Sequence, residues 1–177
     1  QRSLAHCCVI EGDLQLLLLE KHDSWDKVKF PRLVEITGFL LVYRVYNIQS
    51  LGSLFPNLAT IRGLTTHQGY SLVLYDNRDL QEVGLYRLAS ILNGYVRIQN
   101  NIQLCFGDDK TINWNRICKA EDSGKRNHFS AKSRLLTLWC SQRCRDASKF
   151  ARLNFSEICV HELPPPLECS RDKCSGG

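Results

Sequence analysis

Methionine is absent from the 177-residue sequence, and proline occurs only five times. The chain begins with Gln1, from which we expect that an initiator Met and a signal peptide have been removed, as in a secreted protein. No apolar run approaches the ~20 residues of a membrane-spanning helix. The run from Leu14 to Leu19 is far too short and predicts a buried strand. We therefore expect no membrane insertion of this segment.

Sequence patterns of catalysis are also missing. G-x-S-x-G, H-E-x-x-H, Cys-x-x-Cys and a glycine-rich phosphate loop do not occur. The histidines are dispersed, and none lies beside a convincing nucleophile: His6, His22, His67, His128 and His161. We therefore predict a binding protein that is not an enzyme and needs no cofactor.

The net charge of +5 lies in one part of the chain. Residues 1–110 are balanced, with 11 Lys and Arg against 11 Asp and Glu, whereas residues 111–177 carry 12 against 7. A nucleic-acid module would place this charge in a stripe with aromatic stacking groups. Here Lys125, Arg126 and Lys132 lie in a polar stretch with Gly and Ser, which is typical of a solvated loop. We therefore expect no nucleic-acid partner.

Cysteine is abundant, with nine residues, and five of them lie in the tail. This density predicts a disulfide scaffold made in an oxidising compartment. The sequon that begins at Asn154 predicts N-glycosylation and agrees with a secreted protein or the extracellular part of a membrane receptor. The alternative is a zinc site, but no second closely spaced pair follows Cys140-x3-Cys144. Its ligands would be Cys140, Cys144, Cys159 and His161. We prefer disulfides and predict no metal.

A nine-residue phrase occurs twice, as FPRLVEITG at residues 30–38 and FPNLATIRG at residues 55–63. Aligned on glycine, four copies end at Gly12, Gly38, Gly63 and Gly94, with steps of 26, 25 and 31. Each glycine is followed by a strand-like apolar run, and a period in the twenties with this pattern is typical of a β-solenoid. The runs cover residues 14–19, 39–45, 70–75 and 95–98.

The repeated phrase predicts which side chains fill the core. Because one coil cannot bury its apolar face alone, we expect Leu and Ile of each phrase to stack on those of the next. The pairs are Leu33 and Ile36, Leu58 and Ile61, and Leu88 and Ile91. The glycine would permit a tight bend where a side chain would clash or φ must be positive. A leucine-rich helical bundle is disfavoured by Pro31, Pro56 and the β-branched and aromatic runs.

Several stretches resemble a known family. They are CCVIEGDLQLLLL, FPRLVEITGFLLVYRVYNIQSLGSLFPNLATIRG, LQEVGLYRLASILNGYVRIQNNIQLC and INWNRI. From about Cys7 to Cys118 they are similar to the first ligand-binding L domain of insulin and insulin-like growth factor receptors, with RVY, LFPNL, IRG and GLY in order at family spacing. Epidermal growth factor receptors share the fold but match less well. The resemblance implies a mainly β fold, a right-handed β-helix with three sheet faces. From the glycine repeat we expect about four to five coils over residues 7–118. We expect helix only in short caps near Leu4 and Trp114.

The resemblance also implies the domain organisation. Residues 1–140 would form the L domain, with the repeats mainly at 7–118, and residues 141–177 would begin a furin-like cysteine-rich module. The disulfides implied by the family are Cys105–Cys140, Cys144–Cys169 and Cys159–Cys174. Cys7, Cys8 and Cys118 have no mates in this scheme, and a leftover thiol would be able to join two chains.

A binding face follows from strand alternation. Leu16, Leu18 and Glu20 would share one side of the first run, and Leu41 and Tyr43 one side of the next. Protein hot spots combine an apolar centre and aromatic anchors with a charged rim. This predicts Leu18, Tyr43, Tyr70 and Val73 as neighbours, with Arg44, Asp76, Arg97 and Gln99 around them. In the alternative interpretation, Leu18 and Val73 simply belong to the core.

The family resemblance implies the same face and a function. In the receptors this sheet meets the hormone and a receptor helix, and the matching positions are Gln15, Leu18, Tyr43, Arg44, Tyr70, Val73, Asp76, Arg97 and Gln99. Glu20, His67 and Gln68 depart from the pattern, because the receptors carry Phe there. We predict extracellular binding of an insulin-like peptide, by a secreted decoy or a receptor fragment. A receptor-type helix or a second receptor chain would be a further partner. The alternative is a structural module for receptor pairing or matrix contact.

Overall fold

The computed structural model describes residues 4–19, 28–104, 113–121, 126–129, 150–152, 159–161 and 173–175. Several residues singled out above lie outside these ranges: Glu20, Cys105, Cys140, Cys144, Cys169 and the predicted glycosylation site Asn154. What the sequence predicts for them stays a prediction.

Short strands make up most of the described regular structure. In chain order they are β1 (Val9–Glu11), β2 (Leu14–Leu17), β3 (Glu35–Ile36), β4 (Leu40–Tyr43), β5 (Thr60–Ile61), β6 (Tyr70–Tyr75), β7 (Ser90–Ile91), β8 (Tyr95–Gln99), β9 (His128–Phe129), β10 (Phe150–Arg152), β11 (Cys159–His161) and β12 (Lys173–Ser175). The helix α1 covers Trp114–Ile117, and 3-10 turns cover Leu4–His6 and Leu51–Ser53. The caps expected near Leu4 and Trp114 are confirmed. The turn at Leu51–Ser53 is an addition.

Two five-stranded sheets run along the molecule. The first sheet has the order β12-β1-β3-β5-β7 and the second has the order β2-β4-β6-β8-β9, with all neighbours parallel. From β1 to β8 consecutive strands alternate between the sheets, so each coil gives one strand to each. Four such strand pairs make about three full turns. A bridge from Ile91 to Cys118, together with β9, continues both sheets. The predicted β-solenoid is confirmed, but the described residues form about three full turns and not the expected four to five coils. Two of its sides are five-stranded sheets in the described residues, whereas the resemblance implied three sheet faces.

The third side of the solenoid consists of stacked turns. The backbone N–H of Phe30 donates to the carbonyl of Leu54 at 2.9 Å, and that of Leu51 donates to Val83 at 3.3 Å. A single parallel bridge joins Ser50 to Glu82. The repeated phrase therefore begins on this side, and the rings of Phe30 and Phe55 stack with centroids 5.1 Å apart.

The core lies between these three sides and matches the repeat. The predicted inward leucines and isoleucines are all buried in one cluster: Leu33, Ile36, Leu58, Ile61, Leu88 and Ile91. Strand residues from the second sheet complete it: Leu14, Leu16, Leu40, Val42, Leu72, Leu74, Val96 and Ile98. The prediction of stacked apolar residues is therefore confirmed.

The repeat glycines stand at the corner between the two sheets, and they are required for two different reasons. Gly63 has a φ of +67°, which side chains rarely adopt. Gly38 has no positive φ, but a Cβ there would meet the carbonyl oxygen of Gly12 at 2.7 Å and the carboxylate of Asp13. Successive corners are also hydrogen-bonded, since Gly38 N–H donates to Gly12 O at 2.8 Å. Both reasons named in the sequence prediction thus occur.

A buried asparagine pair holds the opposite corner, after β6 and β8. Asn77 Oδ1 accepts from the backbone N–H of Val45 at 3.0 Å, and its Nδ2 donates to the Val42 carbonyl at 3.0 Å. Asn101 repeats the arrangement one coil on, because its Oδ1 accepts from Asn77 N–H at 2.9 Å and its Nδ2 donates to Leu74 O at 2.9 Å. The two amides satisfy backbone groups that the turns leave without strand partners.

One predicted disulfide is wrong. Cys174 is bonded to Cys7, not to Cys159, and the two Cα atoms lie 5.8 Å apart. The reason is that β12 pairs in parallel with β1, with Cys174 opposite Ile10, so the tail residue reaches the start of the first sheet. Cys8 is also disulfide-bonded. The boundary predicted at residue 140 stays a prediction, although β12 from the second segment joins the first sheet.

We predict that Gly63→Ala lowers the free energy of unfolding by about 2–4 kcal/mol. The new Cβ would combine a left-handed φ with overpacking against the Asn93 carbonyl and the Ser71 hydroxyl. Gly69→Ala is the matched control, because Gly69 has a φ of +87° but nothing within 4 Å of its Cβ position. It should cost only about 1–2 kcal/mol. Equal losses in urea unfolding of both variants would show that the close packing at Gly63 has no effect.

We predict that Asn77→Ala destabilises the solenoid by about 2–4 kcal/mol, since it leaves the Val45 N–H and the Val42 carbonyl without their partner. Asn93→Ala removes the same amide from an exposed position and should change stability by less than about 0.5 kcal/mol. Thermal unfolding of both variants measures the difference. A small effect at Asn77 would mean that water replaces its amide.

A non-reducing peptide map should recover a peptide that links Cys7 to Cys174, a pair separated by 167 residues in sequence. Recovery of Cys159 joined to Cys174 would contradict the structure and restore the family pairing. The same map tests the pairs that the sequence still predicts, Cys105–Cys140 and Cys144–Cys169.

Candidate functional site

The outer side of the second sheet presents two rows of side chains in register. One row contains Gln15, Leu41, Val73, Arg97 and His128, and the other contains Leu17, Tyr43, Tyr75 and Gln99. Intervening residues point into the core, as alternation requires. We call these two rows, together with Phe39 and Tyr70, the outer face.

The centre of the outer face is apolar. Leu41 is 8% exposed, Val73 is 3% exposed and Phe39 is 6% exposed, and they form a cluster separate from the core. Tyr43, Tyr70 and Tyr75 are partly buried and pack against this cluster. Val73 is therefore buried, as the core interpretation held, but it is buried on the outer side. Aromatic side chains around a small apolar centre are typical of protein hot spots.

The rim at the start of the strands comes from the third coil. Gly38 and Gly94 each lie two residues before the strand residues Leu40 and Val96, whereas Gly63 lies nine before their register partner Leu72. The additional residues form a tight turn in which His67 and Tyr70 exchange backbone hydrogen bonds of 2.8 and 3.0 Å.

This turn explains the longer glycine step of 31 and brings two predicted residues to the face. The His67 ring lies 5.8 Å from the ring of Phe39, and the Tyr70 ring lies 6.4 Å from that of Tyr95. The Asp13 carboxylate anchors the turn, because it accepts from the Thr65 hydroxyl and from the Phe39 N–H.

The rim at the other end of the strands consists of residues with left-handed backbone. Leu18, Arg44, Asp76 and Asn100 follow β2, β4, β6 and β8, and their φ values lie between 50° and 57°. Each of the first three donates its N–H to the last strand residue of the next coil, at 3.0 to 3.2 Å. The chain therefore turns here without glycine.

This corner overturns the alternation predicted for the first run. Leu16 lies in the core, whereas Leu18 is turned away and is 60% exposed. The two residues do not share a side, because the left-handed φ of Leu18 breaks the period of two. Leu17, which is 41% exposed, takes the place in register with Tyr43.

Arg44 and Asp76 form an ion pair on this rim. The Nε of Arg44 donates to Oδ2 of Asp76 at 2.8 Å, and its guanidinium lies 5.2 Å from the centroid of the Tyr43 ring. The hydrogen bond to Asp76 raises the pKa of Arg44. The Arg44 side chain is 50% exposed and that of Asp76 is 19% exposed, and the guanidinium also covers one side of Tyr43.

Arg97 lies on the face itself. Its guanidinium is 5.8 Å from the centroid of the Tyr70 ring and 5.4 Å from that of Tyr75. Nε donates to Oε1 of Gln99 at 2.7 Å, and Nη1 donates to Oε1 of Gln68 at 3.5 Å. The structure thus brings together Tyr70, Arg97 and Gln99 as predicted, and it adds Gln68 from the turn.

Five members of the outer face are missing from the predicted site residues: Leu17, Phe39, Leu41, Tyr75 and His128. Tyr75 packs against Tyr43, with ring centroids 5.7 Å apart and the rings tilted by 43°, and its hydroxyl accepts from Nδ2 of Asn100 at 2.9 Å. Strand alternation carries a signal for three of them, because Leu17 lies two residues after Gln15, Tyr75 two after Val73, and Phe39 two before Leu41. The same alternation places Leu41 on the side of Tyr43, whereas His128 lies in β9, outside the apolar runs that the sequence shows.

The cysteines offer neither a metal site nor an interchain link in the part of the chain that the structure describes. His6, Cys7 and Cys174 lie close together, but the two cysteines are consumed by their disulfide. Cys118 is a free thiol that is buried, and burial raises its pKa to about 11. The idea that Cys7 or Cys118 joins two chains is therefore wrong: the first is bonded and the second is inaccessible. Among the described helices, none is long and apolar enough to cross a membrane.

Comparison with known proteins places this geometry in a family. The family model of the receptor L domain matches residues 6–118. The chain is 42% identical over 149 residues to the insulin-like peptide receptor of Branchiostoma lanceolatum, which covers 81% of this chain and 11% of that protein. It is 44% identical over 114 residues to the insulin-like receptor of Drosophila melanogaster, which covers 64% of this chain and 5% of that protein.

A third relative is the insulin receptor of Xenopus laevis, 44% identical over 116 residues, or 64% of this chain and 8% of that protein. The chain thus spans about a tenth or less of the length of these relatives. The predicted resemblance to insulin and insulin-like growth factor receptors is confirmed. The chain belongs to the receptor L domain family.

Proposed function

We propose that the outer face binds an insulin-like peptide outside the cell. A receptor L domain is a ligand-binding domain rather than a catalytic one. The observation that carries the proposal is the apolar cluster of Phe39, Leu41 and Val73 on the outer side of the second sheet, with three tyrosines around it. The names of the relatives support this choice of ligand, because they are receptors for insulin and insulin-like peptides.

The arrangement of the face suits a peptide with an apolar surface. A ligand side chain placed over the apolar cluster would contact mainly the rings of Tyr43, Tyr70 and Tyr75, because Leu41 and Val73 are already largely covered. The rings would exclude water from the contact. Each tyrosine combines a large apolar ring with a hydroxyl that can remain solvated at the edge. The rim pair Arg44 and Asp76 would fix the orientation of the ligand more than it would add affinity.

The face alone should bind weakly. By the family resemblance, His67 and Gln68 stand where the receptors carry Phe, whose rings would act as apolar anchors. We therefore propose an affinity of about micromolar for the isolated chain. A receptor-type helix supplied in trans would enlarge the contact and tighten binding. The same face would serve a secreted binding protein or the extracellular part of a receptor.

We predict that Tyr43→Ala weakens binding of an insulin-like peptide about tenfold, because it removes a ring that packs on Tyr75 and borders the apolar centre. Leu92→Ala is the control, since Leu92 is a large exposed side chain that follows β7 in the first sheet. It should leave the affinity unchanged. Isothermal titration calorimetry measures both variants, and thermal unfolding confirms that each remains folded.

The panel of peptides should include several insulin-like sequences, each titrated with and without an added receptor-type helix. Absence of heat at high micromolar concentration in every titration would refute hormone binding. The alternative, a structural module for receptor pairing or matrix contact, would then replace it.

A further inference from the structure

The environment of Arg97 is unusual for an arginine on a sheet. The side chain is half-buried and lies against the rings of Tyr70 and Tyr75. Its register partner in the neighbouring strand is Val73, which belongs to the apolar cluster. Its two hydrogen bonds go to neutral amide oxygens, those of Gln99 and Gln68. A guanidinium held in this way is ordered, but its charge is not neutralised.

Two other arginines of the solenoid show the contrast. Arg44 pairs with Asp76 at 2.8 Å, and Arg62 holds Glu35 with two hydrogen bonds of 2.7 and 3.2 Å. Arg97 has no carboxylate partner among the residues that the structure describes. Asp76 lies at the end of the neighbouring strand, but its carboxylate is already engaged by Arg44.

A second arginine lies near Arg97. The guanidinium of Arg126 lies 5.4 Å from the centroid of the Tyr95 ring, and Tyr95 is the register partner of Tyr70 in the neighbouring strand. His128, the register partner of Arg97 in β9, is exposed. The β8–β9 side of the outer face thus presents two arginines and aromatic rings, and the apolar cluster lies beside them.

The unused hydrogen-bond donors of Arg97 indicate which ligand group would bind there. Nε and one N–H of Nη1 are used, whereas Nη2 has no acceptor among the described residues. A planar guanidinium with free donors binds a carboxylate with high geometric specificity. The Gln99 and Tyr75 contacts fix the plane, so less rotamer entropy would be lost on binding.

We propose that Arg97 selects the charge of the ligand: it binds a carboxylate of the peptide, next to an apolar side chain that lies against the rings of Tyr70 and Tyr75. This proposal rests on the proposed function and gives the ligand a chemical signature, an acidic group adjacent to an apolar residue. Gln68 and Gln99 act as positioning residues, because they orient the guanidinium and leave its charge available.

The main experiment is a double-mutant cycle by calorimetry at low salt. The protein variants are Arg97→Gln and Arg97→Lys, and the probe is the tightest peptide of the insulin-like panel. Each acidic group of the peptide is replaced in turn by its amide. Arg97→Gln should weaken binding about tenfold, and Arg97→Lys should weaken it less. One amide replacement should cause the same loss in the wild-type chain and no further loss in Arg97→Gln.

Arg62→Gln is the matched control, because it makes the same charge change on the first sheet. It should leave affinity unchanged, and the salt dependence of binding should decrease only in Arg97→Gln. If the peptide binds and Arg97→Gln behaves like Arg62→Gln, the role of Arg97 is refuted, whereas the proposed function stands.

A second measurement keeps the proposal testable without a hormone. The ¹⁵Nε resonance of Arg97 is assigned by comparison with Arg97→Lys and followed with two small probes, acetyl-Phe-Glu-amide and acetyl-Phe-Gln-amide. A shift caused by the Glu peptide alone supports the carboxylate site even if no hormone binds. Equal shifts from both probes, or no shift from either, would overturn it.

Discussion

Parallel pairing between successive coils, in one fixed register, is the constraint on which the whole structure depends. The strands β3, β5 and β7 contain only two residues each, so none of them is stable by itself. Each gains backbone hydrogen bonds and apolar neighbours only when the next coil repeats its conformation. The corner groups keep this register: Gly38 fits where no Cβ can stand, and Asn77 and Asn101 satisfy the backbone of adjacent turns.

The same register creates the outer face. Gln15, Leu41, Val73 and Arg97 are far apart in the sequence, yet the pairing of β2, β4, β6 and β8 makes each the direct neighbour of the next. The rows of the outer face are thus a consequence of coil stacking, since any strand residue one position from a core residue joins a row on the outside. The turn in the third coil enlarges one rim of the outer face. It does not change the register of the strands, because all of its additional residues lie between Gly63 and Leu72.

The sequence predicts those parts of the fold that repeat. The glycine-aligned phrase identifies the coils and the inward Leu33 and Ile36 with their counterparts. Strand alternation and the family resemblance add residues that the structure places on the outer face: Gln15, Tyr43, Tyr70, Val73, Arg97 and Gln99. Prediction from the sequence fails where the backbone geometry is not periodic. The residue type of Leu18 does not indicate a left-handed φ, so the alternation of the strand wrongly extends to this residue. The disulfide partner of Cys174 is likewise not predictable from local sequence patterns, because only the pairing of β12 with β1 brings Cys174 close to Cys7.

The core and the exposed part of the outer face use different residues in this fold. The corner amides and the core leucines are buried and hold the coils together, whereas Tyr43, Arg97 and the Arg44–Asp76 pair lie on the outside and are at least partly exposed. Substitutions at these partly exposed positions should therefore change the surface without unfolding the scaffold, whereas substitutions at the buried Leu41 or Val73 would destabilise it. His67 and Gln68 illustrate this separation: the turn that carries them forms without a large apolar side chain at either position, and Gln68 supplies an acceptor for Arg97 that a Phe would not. If the outer face is the binding surface proposed above, recognition at this rim depends on a positioned charge, because Gln68 and Gln99 orient the Arg97 guanidinium and leave that charge available.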